Sequence, residues 1–237
     1  MAAEAPALWI IAGANGSGKS SAYSKVTIDA PEGSIWIINP DALSAQIADQ
    51  EQLPLNPDAN LAAVRRIEDW LYASISAYQT VGVETVLSSP KYQRLVSQAH
   101  DHGFRVRLIY VVLDSVELNI ERVRIRVAKG GHDVPEDKIR ERRLRSLEQL
   151  SWFFDQADMA DIFDNSGAEP TLVASKRGDD LLIFGKPIPE IVGALERVLP
   201  GLSEQLEQSA GAKKQGAARP RRRRRRRRSR SPRNPAA

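Results

Sequence analysis

Residues 13–20 read GANGSGKS and match the phosphate-binding loop pattern G-x-x-x-x-G-K-[ST] at every specified position. Glycines let successive backbone N–H groups turn toward one point without Cβ clashes, which forms a nest for an anion. In such a loop the lysine reaches the β- and γ-phosphates of a nucleoside triphosphate, and the following hydroxyl binds Mg²⁺. We therefore predict a nucleotide site in which Lys19 is also catalytic and Ser20 is the metal ligand. Its residues are Gly13, Ala14, Asn15, Gly16, Ser17, Gly18, Lys19, Ser20 and Ser21.

A carboxylate for the second substrate is expected at Asp41, which follows the short apolar run 35–38. In an open parallel sheet the carboxyl ends of the strands line the ligand crevice. A carboxylate there can take a proton from an acceptor hydroxyl, as phosphoryl transfer requires. Alternatively, Asp41 is only a favourable charge in the first turn of a helix over residues 42–47. We favour the catalytic interpretation.

Two further acidic residues lie in or after apolar runs. Glu84 interrupts the run 83–87, and a buried, unpaired glutamate is rare in proteins. It belongs either to a site or to a solvent-facing edge, and the pattern leaves both open. Asp114 ends the run 108–113 and could hold Mg²⁺, but Asp114-Ser115 is also an ordinary helix N-cap, which we favour.

An arginine-rich segment around Gly130-Gly131-His132 is a candidate lid. A Gly-Gly turn between two arginine-bearing helices suits a loop that closes over phosphates, where arginine stabilises the transferred charge. Further along, Asp164-Asn165-Ser166-Gly167 follows an apolar run and either shapes a base-binding loop or is simple turn sequence. The basic residues of the lid segment are Arg122, Arg124, Arg126, Lys129, Arg140, Arg142, Arg143 and Arg145.

The candidate residues above must be positioned by strands and helices that alternate along the chain. Strand-length apolar runs occupy residues 8–12, 35–38, 83–87, 105–113 and 159–163, with helical periodicity between them. This order favours a parallel sheet covered on both faces. A hairpin is expected from residues 171–174 and 181–184, and a last helix from about 189 to 199. The helical stripes are interpreted as core: Val64, Ile67, Leu71, Ile75 and Tyr78; Val116, Ile120, Val123 and Val127; Ile139, Leu147, Leu150 and Phe154.

The charge distribution divides the chain. The last 25 of the 237 residues hold 13 Lys or Arg and no acidic residue, so the preceding 212 carry 21 basic and 30 acidic residues. Eight like charges in a row at 221–228 repel one another and cannot bury a core, so we expect disorder there. We predict a domain over residues 1–202 and a linker with a basic tail over 203–237. Such a tail suits nucleic acid or another anionic surface.

The rest of the composition limits the kinds of metal site and the cellular location that we expect. The chain has no Cys, which excludes disulfides and thiolate metal sites. The three histidines, His100, His102 and His132, lack metal-ligand spacing. No apolar run approaches the roughly 18 residues of a membrane span, and residues 1–7 do not resemble a signal peptide. We expect a cytoplasmic protein.

These motifs together resemble the zeta-toxin family of P-loop kinases, in its chromosomal zeta-toxin-like branch. The resemblance rests on the phosphate loop, INPDAL at 38–43, VETVLSS at 83–89, GGHDVPEDKIRERRLRSLEQL at 130–150 and FDNSG at 163–167, and it covers about residues 7–176. It implies an ATP- and Mg²⁺-dependent kinase acting on a small hydroxyl-bearing acceptor such as UDP-N-acetylglucosamine, with a possible antitoxin partner. It also implies that Asp41 is the base, that Glu84 lies near the acceptor, and that Arg126 and Arg143 are the lid arginines that clamp phosphate.

The sequence as a whole predicts a three-layer α/β P-loop kinase fold with a mostly parallel sheet, a short Arg-bearing lid and a disordered basic C-terminal tail. Two alternatives to a sugar-nucleotide kinase remain open at this point. The tail could concentrate a polynucleotide kinase on RNA or DNA, or the chain could be a nucleotide-switched RNA-binding protein.

Overall fold

A computed structural model describes residues 5–21, 35–40, 43, 57–185, 188–204, 206 and 207, without the side chains of 57–63. The strands of its seven-stranded sheet are β1 Ala7–Ala12, β2 Ile37–Ile38, β3 Val81–Thr85, β4 Arg105–Val112, β5 Met159–Asp164, β6 Thr171–Arg177 and β7 Asp180–Ile183. Their order is β2-β3-β1-β4-β5-β6-β7. The first five strands in this order run parallel, and β6 and β7 are antiparallel additions.

Helices connect β2 to β3, β3 to β4 and β4 to β5, since parallel neighbours need a crossover between them. The helices are α1 Pro57–Ser76, α2 Gln93–Asp101, α3 Val116–Ala128, α4 Glu136–Gln156 and α5 Pro189–Leu195, with a 3₁₀ turn at Pro90–Tyr92. Helix α1 packs on β3, while α2 and α4 pack on β4. The predicted α/β fold with a mostly parallel sheet is therefore confirmed.

The core is centred on β1, whose six residues are all buried. A strand buried on both faces is what a covered parallel sheet requires. One face contributes a cluster of Ala7, Trp9, Ile11, Ile109 and Val111. On the opposite face the Tyr110 hydroxyl lies 2.9 Å from Ser146 Oγ of α4, and burial raises the pKa of Tyr110 to about 12. That tyrosine is therefore a neutral core residue at any physiological pH.

The loop 129–135 joins α3 to α4 and carries the Gly-Gly pair of the predicted lid. Both helices pack beneath it around a second cluster, formed by Ile120, Val123, Val134 and Ile139. Ser115 caps α3, since its side chain accepts from the Leu118 N–H. The N-cap interpretation of this region is therefore confirmed for Ser115.

Some boundaries differ from those expected. Strand β3 begins two residues earlier than the apolar run 83–87 suggests. It also ends two residues earlier, because Leu87 takes a left-handed backbone conformation with φ 59°. Tyr78 lies beyond the end of α1, is 63% exposed, and does not join the helical stripe. The hairpin is confirmed with a two-residue turn, in which Gly178 has a positive φ of 59°. Helix α5 ends at Leu195, earlier than the predicted 199.

The chain divides into two compact units, Met1–Pro200 and Gly201–Ala237. In the second unit only residues 201–204, 206 and 207 are described, and they include helical residues. The basic tail lies outside the described residues, so the disorder expected of it stays a prediction. No helix in the described part of the chain is long and apolar enough to cross a membrane.

Candidate functional site

The phosphate loop lies between the centre of the sheet and a helix start. Residues 13–18 follow β1 directly, and residues 19–21 are helical. Gly13, Gly16 and Gly18 have φ values of 144°, 77° and 80°. A Cβ at Gly13 would lie 2.2 Å from the Val111 carbonyl oxygen, and one at Gly16 would lie 2.4 Å from that of Asn119. The loop therefore needs glycine at these positions both for its conformation and for the close approach of β4 and α3.

Lys19 is folded into this loop. Its Nζ atom donates to the carbonyl oxygens of Gly13 at 2.9 Å and Ala14 at 3.3 Å, and the residue is buried. The ammonium group is thus held among the backbone atoms that form the predicted anion nest. A buried positive charge beside a helix N-terminus suits a phosphate group.

The hydroxyl of Ser17 indicates what the loop can bind, because it can donate to a ligand oxygen, whereas the amide oxygen of Asn15 can only accept. Among the described residues, Ser17 Oγ and Asn15 Oδ1 are buried and have no hydrogen-bond partner. Buried polar atoms are normally paired, so an unpaired hydroxyl in an anion nest suits a ligand oxygen. The residues present therefore fit the phosphates of ATP.

Ser20 and Glu84 are brought together from distant parts of the sequence. Glu84 lies on β3 opposite Ile11 of β1, and its Oε2 atom accepts a hydrogen bond from Ser20 Oγ at 2.9 Å. Glu84 is buried, which removes the edge-facing alternative for this residue. A hydroxyl and a carboxylate oxygen are ligands that Mg²⁺ accepts, with the phosphates supplying others. The pair therefore fits Mg²⁺ bound with a nucleotide, and no larger cluster of metal-ligating side chains occurs among the described residues.

Asp41, the predicted base, lies outside the described residues. Its neighbours Asn39 and Pro40 are described, and the Asn39 carbonyl oxygen accepts from the Leu43 N–H at 2.9 Å. That bond has the spacing of a helical turn. The role of Asp41 in proton transfer stays a prediction.

The two predicted lid arginines lie in different environments. Arg126 of α3 is exposed, and its Nη2 atom donates to the His132 carbonyl oxygen at 2.8 Å, which fastens the loop 129–135 to the helix. Arg143 of α4 is 4% exposed. Its guanidinium donates to Asn119 Oδ1 and to the Leu113 carbonyl oxygen, each at 2.9 Å, and contacts the Glu190 carboxylate. The structure does not bring these two arginines together, and their contact with phosphate stays a prediction.

Two asparagines contact the phosphate loop: Asn119, which sequence reasoning missed, and Asn165, which it named only as part of a possible base-binding loop. Asn119 donates from Nδ2 to the Asn15 carbonyl oxygen, and Asn165 donates from Nδ2 to the Ser17 carbonyl oxygen, each at 2.8 Å. Asn119 lies three residues after Val116 and four before Val123, on the apolar stripe of α3. A lone polar residue on a core-facing stripe was the signal available for it.

Arg122 of α3 lies close to the phosphate loop. Its Nη2 atom donates to the Asn165 carbonyl oxygen at 2.8 Å. Its Nη1 atom lies 3.6 Å from the position of a Cβ at Gly18. The turn at 164–167 is thus an integral wall of the site, between the loop and an arginine of α3.

A phosphate loop after the central strand of a mostly parallel sheet, with helices on the strands beside it, defines the P-loop kinase fold. The family model AAA_33, described as an AAA domain, matches residues 8–150. The chain therefore belongs to this family of P-loop domains. An uncharacterized protein of Haemophilus influenzae is 32% identical to it over 131 residues, which are 55% of this chain and 87% of that relative.

Solved structures share the fold at low sequence identity. The complex AvrRxo1-ORF1:AvrRxo1-ORF2 with sulphate ions has a TM-score of 0.60 at 17% identity, covering 90% of this chain and 75% of that chain. The same pair with ATP has a TM-score of 0.59, and this chain spans only 60% of the length of its chain. A structure of the PezAT chromosomal toxin-antitoxin system of Streptococcus pneumoniae has a TM-score of 0.53 at 14% identity, covering 91% and 88%.

Proposed function

We propose that this protein is an ATP-dependent kinase that transfers the γ-phosphoryl group of ATP to a hydroxyl of a small molecule. The observation that carries the proposal is the hydrogen bond between Ser20 and Glu84 at the end of a complete phosphate loop. It joins the metal-binding hydroxyl to a buried carboxylate beside the nest, as Mg-ATP chemistry requires. The ATP complex of AvrRxo1 supports nucleotide binding by this fold.

The proposed reaction is an in-line displacement. The acceptor hydroxyl oxygen forms a bond to the γ-phosphorus, and the bond from that phosphorus to the β,γ-bridging oxygen breaks, leaving ADP. Asp41 takes the hydroxyl proton. Lys19 stabilises charge on the transferred group, and Arg126 is the proposed lid arginine. The resemblance implies the same clamp for Arg143, but its burial against Asn119 and the Leu113 carbonyl favours a positioning role instead. Mg²⁺, when bound at Ser20, neutralises charge on the phosphates.

For the acceptor we propose a sugar nucleotide of the UDP-N-acetylglucosamine type, on the basis of the zeta-toxin-like motifs. Glu84 would bind on the acceptor side of the site as well as holding Ser20. A structure of the PezAT toxin-antitoxin system shares the fold. From the same resemblance we propose an antitoxin-like protein partner and a cytoplasmic location.

A second candidate function follows from the basic tail. With 13 Lys or Arg in the last 25 residues, the tail would bring the domain to RNA or DNA. The kinase would then act on the 5′-hydroxyl of a nucleic-acid end, or the nucleotide would switch RNA binding without phosphoryl transfer.

An acceptor screen tests these functions. ADP formation from Mg-ATP is measured with UDP-sugars, with 5′-hydroxyl oligonucleotides and with no acceptor, for the wild type and for Lys19→Ala. We expect UDP-sugar-dependent ADP formation in the wild type and none in the variant, because Lys19 stabilises the transferred charge. Thermal melting of the variant is the control for its fold, because Lys19 is buried and donates to two carbonyls of the loop.

Each outcome of the screen assigns a function. Activity only with oligonucleotides selects the polynucleotide kinase. ATP binding without acceptor-dependent ADP formation selects the switch. Wild-type turnover by Lys19→Ala contradicts the kinase proposal itself.

A further inference from the structure

The carbonyl groups of the phosphate loop need partners of their own. A loop that turns its N–H groups toward an anion turns carbonyl oxygens toward the protein, and buried carbonyls are costly without donors. Asn119 and Asn165 supply these donors to the carbonyls of Asn15 and Ser17, each at 2.8 Å. The shape of the loop therefore depends on two side-chain amides from outside it.

Asn119 is held so that only one orientation of its amide works. The residue is fully buried at 0% exposure, and its Oδ1 atom accepts from Arg143 Nη1 at 2.9 Å. Because a guanidinium can only donate, the amide oxygen must face Arg143 and the amide N–H must face the loop. Arg143 thus determines which side of Asn119 the loop meets.

Arg143 is itself committed to several partners. Its Nη2 atom donates to the Leu113 carbonyl oxygen at 2.9 Å and contacts the carboxylate of Glu190 on α5. Leaving these partners to reach a phosphate would leave a buried carbonyl and a buried amide oxygen without a donor. Glu190 is 44% exposed, and an ion pair with a solvent-exposed partner adds little net stability. The contact with Glu190 therefore does not explain why this arginine is buried against Asn119.

The contact between α3 and the loop leaves no room for adjustment. The Asn119 carbonyl oxygen lies 2.4 Å from the position of a Cβ at Gly16. A shift of Asn119 along α3 would press on the loop directly. Any change in the position or the hydrogen bonds of Asn119 should therefore move the backbone that forms the nest.

We propose that Arg143 and Asn119 form a relay that holds the phosphate loop in its anion-binding shape. Arg143 is then a positioning residue that acts through Asn119, and it does not touch the phosphates. The relay extends the proposed function, since it sets the affinity of the same site for phosphate. It also joins the loop to α4 and α5, outside the sheet.

The relay is tested in the full-length protein with Arg143→Met and, as a milder change, Arg143→Lys. Lysine keeps the charge beside Glu190 but lacks the planar fork that reaches two partners. Arg140→Met is the matched control, because Arg140 lies on the same helix, is exposed, and pairs with surface Glu117 at 2.8 Å. Thermal melting identifies any variant that fails to fold.

Three quantities are measured for each variant: affinity for inorganic pyrophosphate and for Mg-ATP by calorimetry, hydrogen exchange of the amides of residues 13–20 without ligand, and kcat at saturating ATP. We expect both Arg143 variants to bind pyrophosphate and Mg-ATP on the order of 10- to 100-fold more weakly. Their loop amides should exchange faster, and kcat should stay within about threefold of the wild type. Arg140→Met should change none of these.

A double-mutant cycle separates a relay from two independent effects. If Arg143 acts through Asn119, adding Arg143→Lys to Asn119→Ala should weaken pyrophosphate binding little further. Additive losses contradict the relay. So does a fall in kcat with unchanged affinity and unchanged exchange, which would make Arg143 a phosphate clamp.

Failure of the kinase proposal leaves this test intact. Pyrophosphate affinity and loop exchange require no acceptor and no turnover. In a protein that binds ATP without transferring it, pyrophosphate affinity and loop exchange would still reveal whether Arg143 acts through Asn119.

Discussion

Ser20 and Glu84 are the side chains on which the proposed metal chemistry at this site depends. Glu84 came from the sequence as an ionisable residue in an apolar strand, with two interpretations open. Its hydrogen bond to Ser20 at 2.9 Å places it beside the phosphate loop and favours a role in holding the metal-binding hydroxyl. An acceptor contact remains the proposal drawn from the zeta-toxin resemblance, and the two roles differ in a measurable way.

Glu84→Gln tests the two roles. Glutamine keeps the size and the acceptor oxygen but removes the charge that supports Mg²⁺. We expect the Mg²⁺ concentration for half-maximal activity to rise on the order of tenfold, with much of kcat recovered at high Mg²⁺. Glu148→Gln on the exposed surface of α4 should leave the titration unchanged. A raised KM for the acceptor at an unchanged Mg²⁺ requirement would instead make Glu84 an acceptor residue.

Asp41→Asn tests the proposed base. Asparagine can still hydrogen-bond to the acceptor hydroxyl but cannot take its proton, so kcat should fall about 10²-fold or more while Mg-ATP affinity stays nearly unchanged. Steady-state kinetics and calorimetry on the same preparation measure both. Weaker Mg-ATP binding with turnover preserved at saturation would identify Asp41 as a metal-site residue.

At the scale of elements, the site is the end of β1 enclosed by its neighbours. Strand β3 brings Glu84 to one side of the loop, while α3 brings Asn119 and Arg122 to the other. Close approach of these elements depends on glycines that have no Cβ to obstruct them. The packing of α3 on the loop can therefore be probed through a single methyl group.

Gly16→Ala should disturb this packing. Alanine at φ 77° is strained, and its Cβ would lie 2.4 Å from the Asn119 carbonyl oxygen, so the loop or α3 must move. We expect a lower melting temperature and at least about tenfold weaker Mg-ATP binding. Gly103→Ala is the matched control, because its φ is 75° but nothing lies within 4 Å of the added Cβ.

The control separates strain from contact. Gly103→Ala should cost about 1 kcal/mol in unfolding free energy through its backbone conformation alone and leave ATP binding unchanged. If Gly16→Ala behaves like Gly103→Ala in both measurements, the contact between α3 and the loop does not govern nucleotide binding.

At the scale of the whole molecule, an acidic domain is joined to a strongly basic tail. The first 212 residues carry 21 basic and 30 acidic residues, whereas the last 25 carry 13 basic and none acidic. The domain would by itself repel nucleic acid, so binding to RNA or DNA would depend on the tail.

Deletion of residues 213–237 should separate the two activities. We expect the melting temperature and small-acceptor kinase activity to change little, because a self-repelling segment buries no apolar area. Binding to RNA or DNA should be lost. In the full-length protein it should fall with salt by roughly 0.7 to 0.9 log units per phosphate contact for each tenfold increase.

Mobility-shift titrations at two salt concentrations measure this binding. A chain ending at residue 228 keeps the eight-arginine run and serves as the control that should still bind. Equal binding with and without the tail contradicts the proposal. Loss of small-acceptor kinase activity on deletion would make the tail part of the active site.

The sequence by itself determined the features that are local in the chain. The phosphate loop occupies eight consecutive residues. The roles predicted for its glycines, lysine and serine depend on their spacing within that short segment, so the pattern alone indicates them. The parallel sheet followed from strand-length apolar runs alternating with helical stripes, since periodicity reports the face that each element buries. Errors arose at element ends, as at Tyr78 and β3, where a left-handed residue ends an element without a change in hydrophobic pattern.

Only the tertiary structure decided which distant side chains meet the loop. Glu84 is 64 residues from Ser20, Asn119 is 104 residues from Asn15, and Asn165 is 148 residues from Ser17. The arginines of the lid segment look alike in the sequence, yet Arg143 is buried against Asn119 while Arg126 is exposed beside the lid loop. Helical spacing predicts which face of the helix a residue lies on, but not which element packs against that face. The neighbours of Asn119 and Arg143 became known only from the packing of α3 and α4 in the folded protein.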